Sequence, residues 1–238
     1  MFDIRNELSP FLAKELRGHA FPYACARAAT LKNAIEALGV PHTEVGALAV
    51  NGAAATLDRT VREHDTIEVH PWTAQPLPPP LRLLADAHLG GLARFLRMLG
   101  YDTLHQNAFG DAEIRRLAAE ERRIVLTRDR ELLKCREIGR GCYVRALKPE
   151  QQIREVAARY GLATLARPFT LCLHCNLALV PVDKTAVAHR LPPTVRAVQE
   201  SFSYCQGCDR VYWPGSHYQR MEAALKPLLN SPSPSRAE

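Results

Sequence analysis

At 238 residues and 26.5 kDa the chain is longer than one ordinary core requires, which predicts two or three units of modest size. Its 47% hydrophobic and 24% charged residues give a globular balance and exclude a disordered chain. The longest stretch free of Asp, Glu, Lys and Arg, residues 168–182, is too short for a membrane span, and Asp3, Arg5, Glu7, Lys14, Glu15 and Arg17 leave no apolar core for a secretory signal, so a cytoplasmic protein without a membrane partner is expected.

The formal net charge of +6 is unevenly spread: residues 1–75 hold seven basic and nine acidic side chains, residues 76–238 hold 24 and 16. An excess of that size suits a polyanion-binding surface and equally suits a solvated one.

Residues 1–72 open with a short strand, continue through a second over residues 21–25, and reach an amphipathic helix over residues 30–39. There Leu31, Ile35 and Leu38 share a face, Thr30 is suited to the N-cap and Gly39 to the stop. A strand then runs from Ala47 into Asn51-Gly52, and residues 65–70 alternate as another. Strand, strand, helix, strand, strand predicts a β-grasp, and the order resembles the ubiquitin-like sulfur carriers. Those carriers end in a free Gly-Gly, whereas here the last strand runs into His70-Pro71-Trp72, which rules out a carrier role. Residues 73–80, Thr-Ala-Gln-Pro-Leu-Pro-Pro-Pro, read as a stiff linker.

From residue 81 to about 165 the pattern alternates between strand and helix. Residues 81–85 form an apolar run; Leu92, Phe95, Leu96 and Leu99 form a helical stripe; residues 101–105 form a short strand; and Ile114, Leu117 and Ala118 form a second stripe behind Asp111. Residues 123–127 and 141–147 are further strands, and Pro149 opens a helix through Tyr160. Repeated β-α order predicts an α/β fold with a parallel sheet, whose ligands gather beyond the carboxyl ends of the strands. Asp86, Asp111 and Asp129 all fall where strand or loop gives way to helix. Singly they suit caps and turns; together they suit Mg2+ or Mn2+, which neutralises carboxylates that otherwise repel. Arg94 and Arg97 lie opposite the apolar stripe of their helix and Arg128 and Arg130 flank Asp129, where guanidinium groups can clamp phosphates.

Four of the seven cysteines fall as Cys172-x2-Cys175 and Cys205-x2-Cys208. Two such knuckles complete a tetrahedral thiolate shell, so a closed, structural zinc ribbon over residues 166–222 is expected. Cys25, Cys135 and Cys142 read as packed thiols. Tyr212, Trp213 and Tyr218 follow the last knuckle and suit either base stacking or packing. Residues 223–238, Ser-Pro rich from Asn230, read as a disordered tail.

Asp86-Ala-His-Leu-Gly-Gly-Leu-Ala-Arg-Phe-Leu-Arg-Met-Leu-Gly100-Tyr-Asp-Thr, then Asp111-Ala-Glu-Ile, then Arg123-Ile-Val-Leu-Thr-Arg-Asp-Arg-Glu-Leu132 resemble the Mut-seven C-terminal ribonuclease family, a branch of the PIN nucleases. The likeness continues through both cysteine pairs to Tyr218, and a bacterial subgroup of that family carries a ubiquitin-like domain in front. The resemblance implies endonucleolytic, metal-dependent hydrolysis of RNA, with Asp86, Asp111 and Asp129 as ligands of Mg2+ or Mn2+ and Arg94, Arg97 and Arg128 against substrate. Many PIN nucleases place a fourth acid after the next strand; residues 141–147 contain none, and Glu113 and Glu131 are weak substitutes. A non-catalytic RNA-binding protein, or an adaptor whose ubiquitin-like domain recruits a protein partner, is the alternative.

Overall fold

In the computed structural model, which describes residues 1–229 apart from the side chains of His217 and Leu228, the chain enters each of two units twice. The first unit gathers Met1–Ala74 and Phe109–Val144, the second Gln75–Ala108 and the described residues from Arg145 onward.

Alternation of apolar and polar residues makes β1 (Phe2–Ile4), which buries Phe2 and Ile4 and turns Asp3 outward. Helix α1 (Leu31–Ala37) starts where the Thr30 hydroxyl accepts from the Asn33 amide at 3.2 Å, and it buries Leu31, Ala34 and Ile35. β2 (Val45–Val50), β3 (Ala53–Ala54) and β4 (Ile67–Pro71) complete a sheet in the order β1-β4-β2-β3, in which β1 runs parallel to β4 and β2 antiparallel to both β3 and β4. The strand expected over residues 21–25 is reduced to one bridge, in which Phe2 and Phe21 exchange both backbone hydrogen bonds, and residues 22–25 enter no strand.

The second unit opens with β5 (Arg82–Ala85), α2 (Gly90–Met98) and β6 (Asp102–Leu104), with β5 and β6 parallel. Leu83, Leu84, Leu92 and Leu96 are fully buried, as an apolar run followed by a helical stripe requires. Returning to the first unit, the chain forms α3 (Asp111–Glu121), β7 (Ile124–Thr127), α4 (Arg130–Lys134) and β8 (Gly141–Tyr143), with β7 and β8 parallel. β8 is shorter than the expected strand over residues 141–147. Beyond it the Arg145 and Ala146 amides donate to the Glu155 carboxylate, at 3.0–3.1 Å, instead of to a strand.

Glu155 belongs to α5 (Pro149–Tyr160), which is followed by the ribbon segment: β9 (Val180–Val182), α6 (Lys184–Val187), α7 (Pro193–Val198), β10 (Phe202–Cys205) and β11 (Arg210–Tyr212). β10 lies between its antiparallel partners β9 and β11. α8 (Ser216–Leu229) buries Met221 and Leu225, which places residues 223–229 in a helix where a disordered tail was expected; residues 230–238 of that tail lie outside the described residues. The fold is therefore mixed α/β with parallel strand pairing. No described helix is long and apolar enough to cross a membrane.

The ribbon is tied to α2 through backbone. Arg167 and Phe169 amides donate to the Leu99 and Met98 carbonyls at 2.8 and 2.9 Å. Gly100, at φ +87°, makes this possible: a Cβ there would lie 2.3 Å from the Arg167 carbonyl oxygen, so neither the conformation nor the space admits a side chain.

Candidate metal centres and basic positions

Asp86 follows β5, and its Oδ1 accepts from the Ala87 amide at 2.6 Å, starting a 3-10 turn at Ala87–Leu89. Asp111 was suited by type to the N-cap of its helix; the cap position is Gly110, and Asp111 is the first helical residue with an exposed side chain. A carboxylate there still faces the positive end of α3. Asp129 is the N-cap of α4. Its Oδ1 accepts from the Glu131 and Leu132 amides at 2.8 and 3.3 Å, and its own amide donates to Oγ1 of the buried Thr127 at 2.9 Å. The Thr-x-Asp segment is thus a locked turn: strand β7 buries the threonine, the threonine holds the aspartate backbone, and one carboxylate oxygen starts the helix. Asp111 and Asp129 belong to the first unit and Asp86 to the second.

Arg94 and Arg128 are exposed, as a phosphate contact requires. Arg97 is not. Expected opposite the apolar stripe of α2, it is only 4% exposed, and it donates through Nε to the Thr103 carbonyl (2.9 Å) and through Nη1 to the Leu173 and His174 carbonyls (3.1 and 2.8 Å). This corrects the expectation that Arg97 faces substrate: its Nε and Nη1 are committed to backbone carbonyls of the Thr103 strand and the first cysteine turn. Glu113 is paired with Arg116 and Glu131 with Lys134, each at 2.7–2.8 Å, as surface charges on a first helical turn commonly are.

Arg115 escaped sequence reading. It stands one turn beyond Asp111 on the same face of α3, and its buried Nε has no hydrogen-bond partner among the described residues. Burial pushes the Cys135 thiol up, against the opposing pull of the Arg115 guanidinium beside it. The i, i+4 spacing from Asp111 was the available signal.

The four cysteines come together from two turns. Cys172 and Cys175 bracket a tight loop closed by the Cys172 amide on the Leu177 carbonyl, and Cys205 and Cys208 span the turn from β10 to β11. Their sulfur atoms all lie within 4.8 Å of one another, with Cys172 and Cys208 at 3.5 Å and Cys175 and Cys205 at 3.3 Å. A tetrahedral thiolate site with bonds of about 2.3 Å needs sulfurs about 3.8 Å apart, so the donor set fits one ion. Tyr212 places its hydroxyl 3.0 Å from Cys172 Sγ. Although burial opposes it, hydrogen bonding from that hydroxyl and from nearby amides pulls the Cys172 thiol down to about 6, toward the thiolate a metal requires. Tyr212, Trp213 and Tyr218 line an apolar cavity of about 590 Å³, where Tyr218 stacks on Phe169 at 3.8 Å.

Two family models match the chain: one described as Mut7-C RNAse domain over residues 81–225, the other as Mut7-C ubiquitin over residues 1–76. No curated protein and no solved structure matches it.

Proposed function

Because the chain belongs to the Mut7-C RNAse family, we propose that it is a metal-dependent ribonuclease that cuts RNA internally, using Asp86, Asp111 and Asp129 to hold Mg2+ or Mn2+. The nuclease segment is residues 81–165 and the zinc ribbon residues 166–222. The family match over residues 81–225 carries the reading, and the locked Asp129 turn supports it.

An all-oxygen, carboxylate donor set suits Mg2+ or Mn2+ over softer ions. When bound, such an ion polarises a phosphoryl oxygen and lowers the pKa of a water ligand. The chain's own residues supply the rest. Thr127 and the α4 amides hold Asp129 in a single orientation, with Oδ1 engaged and Oδ2 taking no hydrogen bond among the described residues. The exposed Arg94 and Arg128 bind phosphate and so position the scissile bond. Cys172, Cys175, Cys205 and Cys208 hold Zn2+; four protein ligands close that site to water, so its role is to fold the ribbon.

The test incubates the purified chain with mixed single-stranded and structured RNA in Mn2+, in Mg2+ and in EDTA, beside Asp129→Asn. Internal cleavage that requires the divalent ion and vanishes in the variant is expected. Cleavage that survives both chelation and substitution overturns the reading, and RNA binding without turnover in either metal leaves only a binding module.

A further inference from the structure

The ubiquitin-like segment lies in the same unit as α3, β7, α4 and β8, and one of its faces is committed to them. Glu44 is 2% exposed and accepts the Tyr143 amide on Oε1 at 2.8 Å. The strand pairing explains why that amide needs an acceptor. The Val144 amide donates to the Thr127 carbonyl, so the preceding amide, that of Tyr143, points away from β7. Glu44 meets it there, in the place a further strand would take.

Neighbouring contacts follow the same direction. His42 Nε2 lies 2.9 Å from the Ile138 carbonyl while its Nδ1 lies 2.6 Å from Glu36 Oε1. Phe11 and Tyr143 meet edge to face at 5.2 Å, and the Arg130 guanidinium lies over both rings, at 5.3 and 5.7 Å. Gly141 leaves room for α4, since a Cβ there would stand 2.5 Å from Leu133 Cδ2, and Thr43 Cγ2 lies 3.4 Å from the same point. Arg130 is the first residue of α4, next to the Asp129 that caps it.

We propose that the ubiquitin-like segment is a positioning element of the nuclease, in which Phe11 and Glu44, acting through Arg130 and β8, hold the Asp129 turn in its working geometry. This rests on reading Asp129 as a metal ligand. The Phe11 and His42–Glu44 face is therefore occupied within the chain, and a separate protein partner has to use another surface.

The test uses the full chain with Phe11→Leu, which keeps an apolar side chain but removes the ring, and with Glu44→Ala and Glu44→Gln, the latter retaining an oxygen acceptor. Two readouts are taken: the Mn2+ concentration for half-maximal cleavage, and hydrogen exchange of the Glu131 and Leu132 amides that donate to Asp129. Phe11→Leu and Glu44→Ala are expected to raise the half-saturating Mn2+ about tenfold, the scale of lost outer support at a metal site, with KM for RNA unchanged and with faster exchange of both amides. Glu44→Gln should restore most of both. Wild-type Mn2+ dependence and exchange in Phe11→Leu overturn the proposal, and so does a Glu44→Gln as impaired as Glu44→Ala. Should Glu44→Ala fail to fold, Phe11→Leu decides alone. Should the unaltered chain show no metal-dependent cleavage, the nuclease reading fails, and amide exchange by itself still decides whether Phe11 and Glu44 hold the turn.

Discussion

The guanidinium of Arg97, near the end of α2, donates at 2.8 Å to the carbonyl oxygen of His174, in the middle of the first cysteine knuckle. A second bond to Leu173 and a third to Thr103 complete a clasp, and Asn176 adds to it by accepting from the Thr103 amide at 3.0 Å and donating to Asp102 at 2.6 Å. The first cysteine turn is therefore shaped by α2 and β6 as well as by its own sulfurs.

Arg97→Met keeps an apolar stem but leaves two knuckle carbonyls without their donor. Support beyond the ligands of a metal is worth about 10- to 100-fold in affinity, so the variant should release zinc to a chromogenic chelator at least about tenfold faster than the unaltered chain. Equal release rates would show that the clasp does not support the metal. Cys172→Ser should go further and lower bound zinc outright, measured as metal content after gel filtration.

Asp129 performs two tasks that substitution can separate. Asn is as good an N-cap as Asp, so Asp129→Asn should keep α4 while reducing metal-dependent cleavage at least about 100-fold, since losing a ligand costs no less than losing its support. Asp129→Ala should lose the activity and, in addition, about 1 kcal/mol of stability from the cap. Urea unfolding and cleavage measured on the same two variants check this. Equal stability losses would mean that the capping geometry contributes nothing.

Asp65 anchors the front sheet. It is 5% exposed and accepts from Arg59, from the Arg62 amide and from Asn51 at 2.8–3.0 Å; the Arg59 hydrogen bond above all holds its carboxyl well below the usual carboxylate range. A depressed carboxyl contributes stability that is complete above its unfolded value, about 4, and is lost as pH falls from there toward the folded value. Asp65→Asn should therefore cost about 2 kcal/mol at pH 7, with Arg59 partly solvated, and the gap to the unaltered chain should shrink below about pH 4. Amide exchange of Thr66 and Ile67 across that range measures it.

Arg94 and Arg128 should act on binding more than on turnover. Each alanine variant is expected to raise KM for RNA with kcat little changed, and to reduce the slope of log affinity against log salt by about 0.7, the value of one phosphate contact on a single strand. A fall in kcat at constant KM would place them at the reacting phosphate instead.

Local signals made much of this legible. The Thr30 cap with Leu31 and Ile35 at helical spacing announces α1, paired CxxC turns announce the sulfur cluster, and Thr127-x-Asp129 announces a strand passing into a capped helix. What escaped depends on partners far along the chain. Arg97 looks solvated on a helical wheel until backbone more than seventy residues later supplies its acceptors, and Glu44 is an ordinary acid until it meets Tyr143, 99 residues away.

The most direct measurement is Mn2+ binding to the zinc-loaded chain, followed by the loss of free-ion electron paramagnetic resonance signal, for the unaltered protein and for Asp86→Asn, Asp111→Asn and Asp129→Asn. A carboxylate-dependent site that each single substitution weakens at least about tenfold is expected of ligands sharing one ion. Three variants that bind Mn2+ as tightly as the unaltered chain would contradict it.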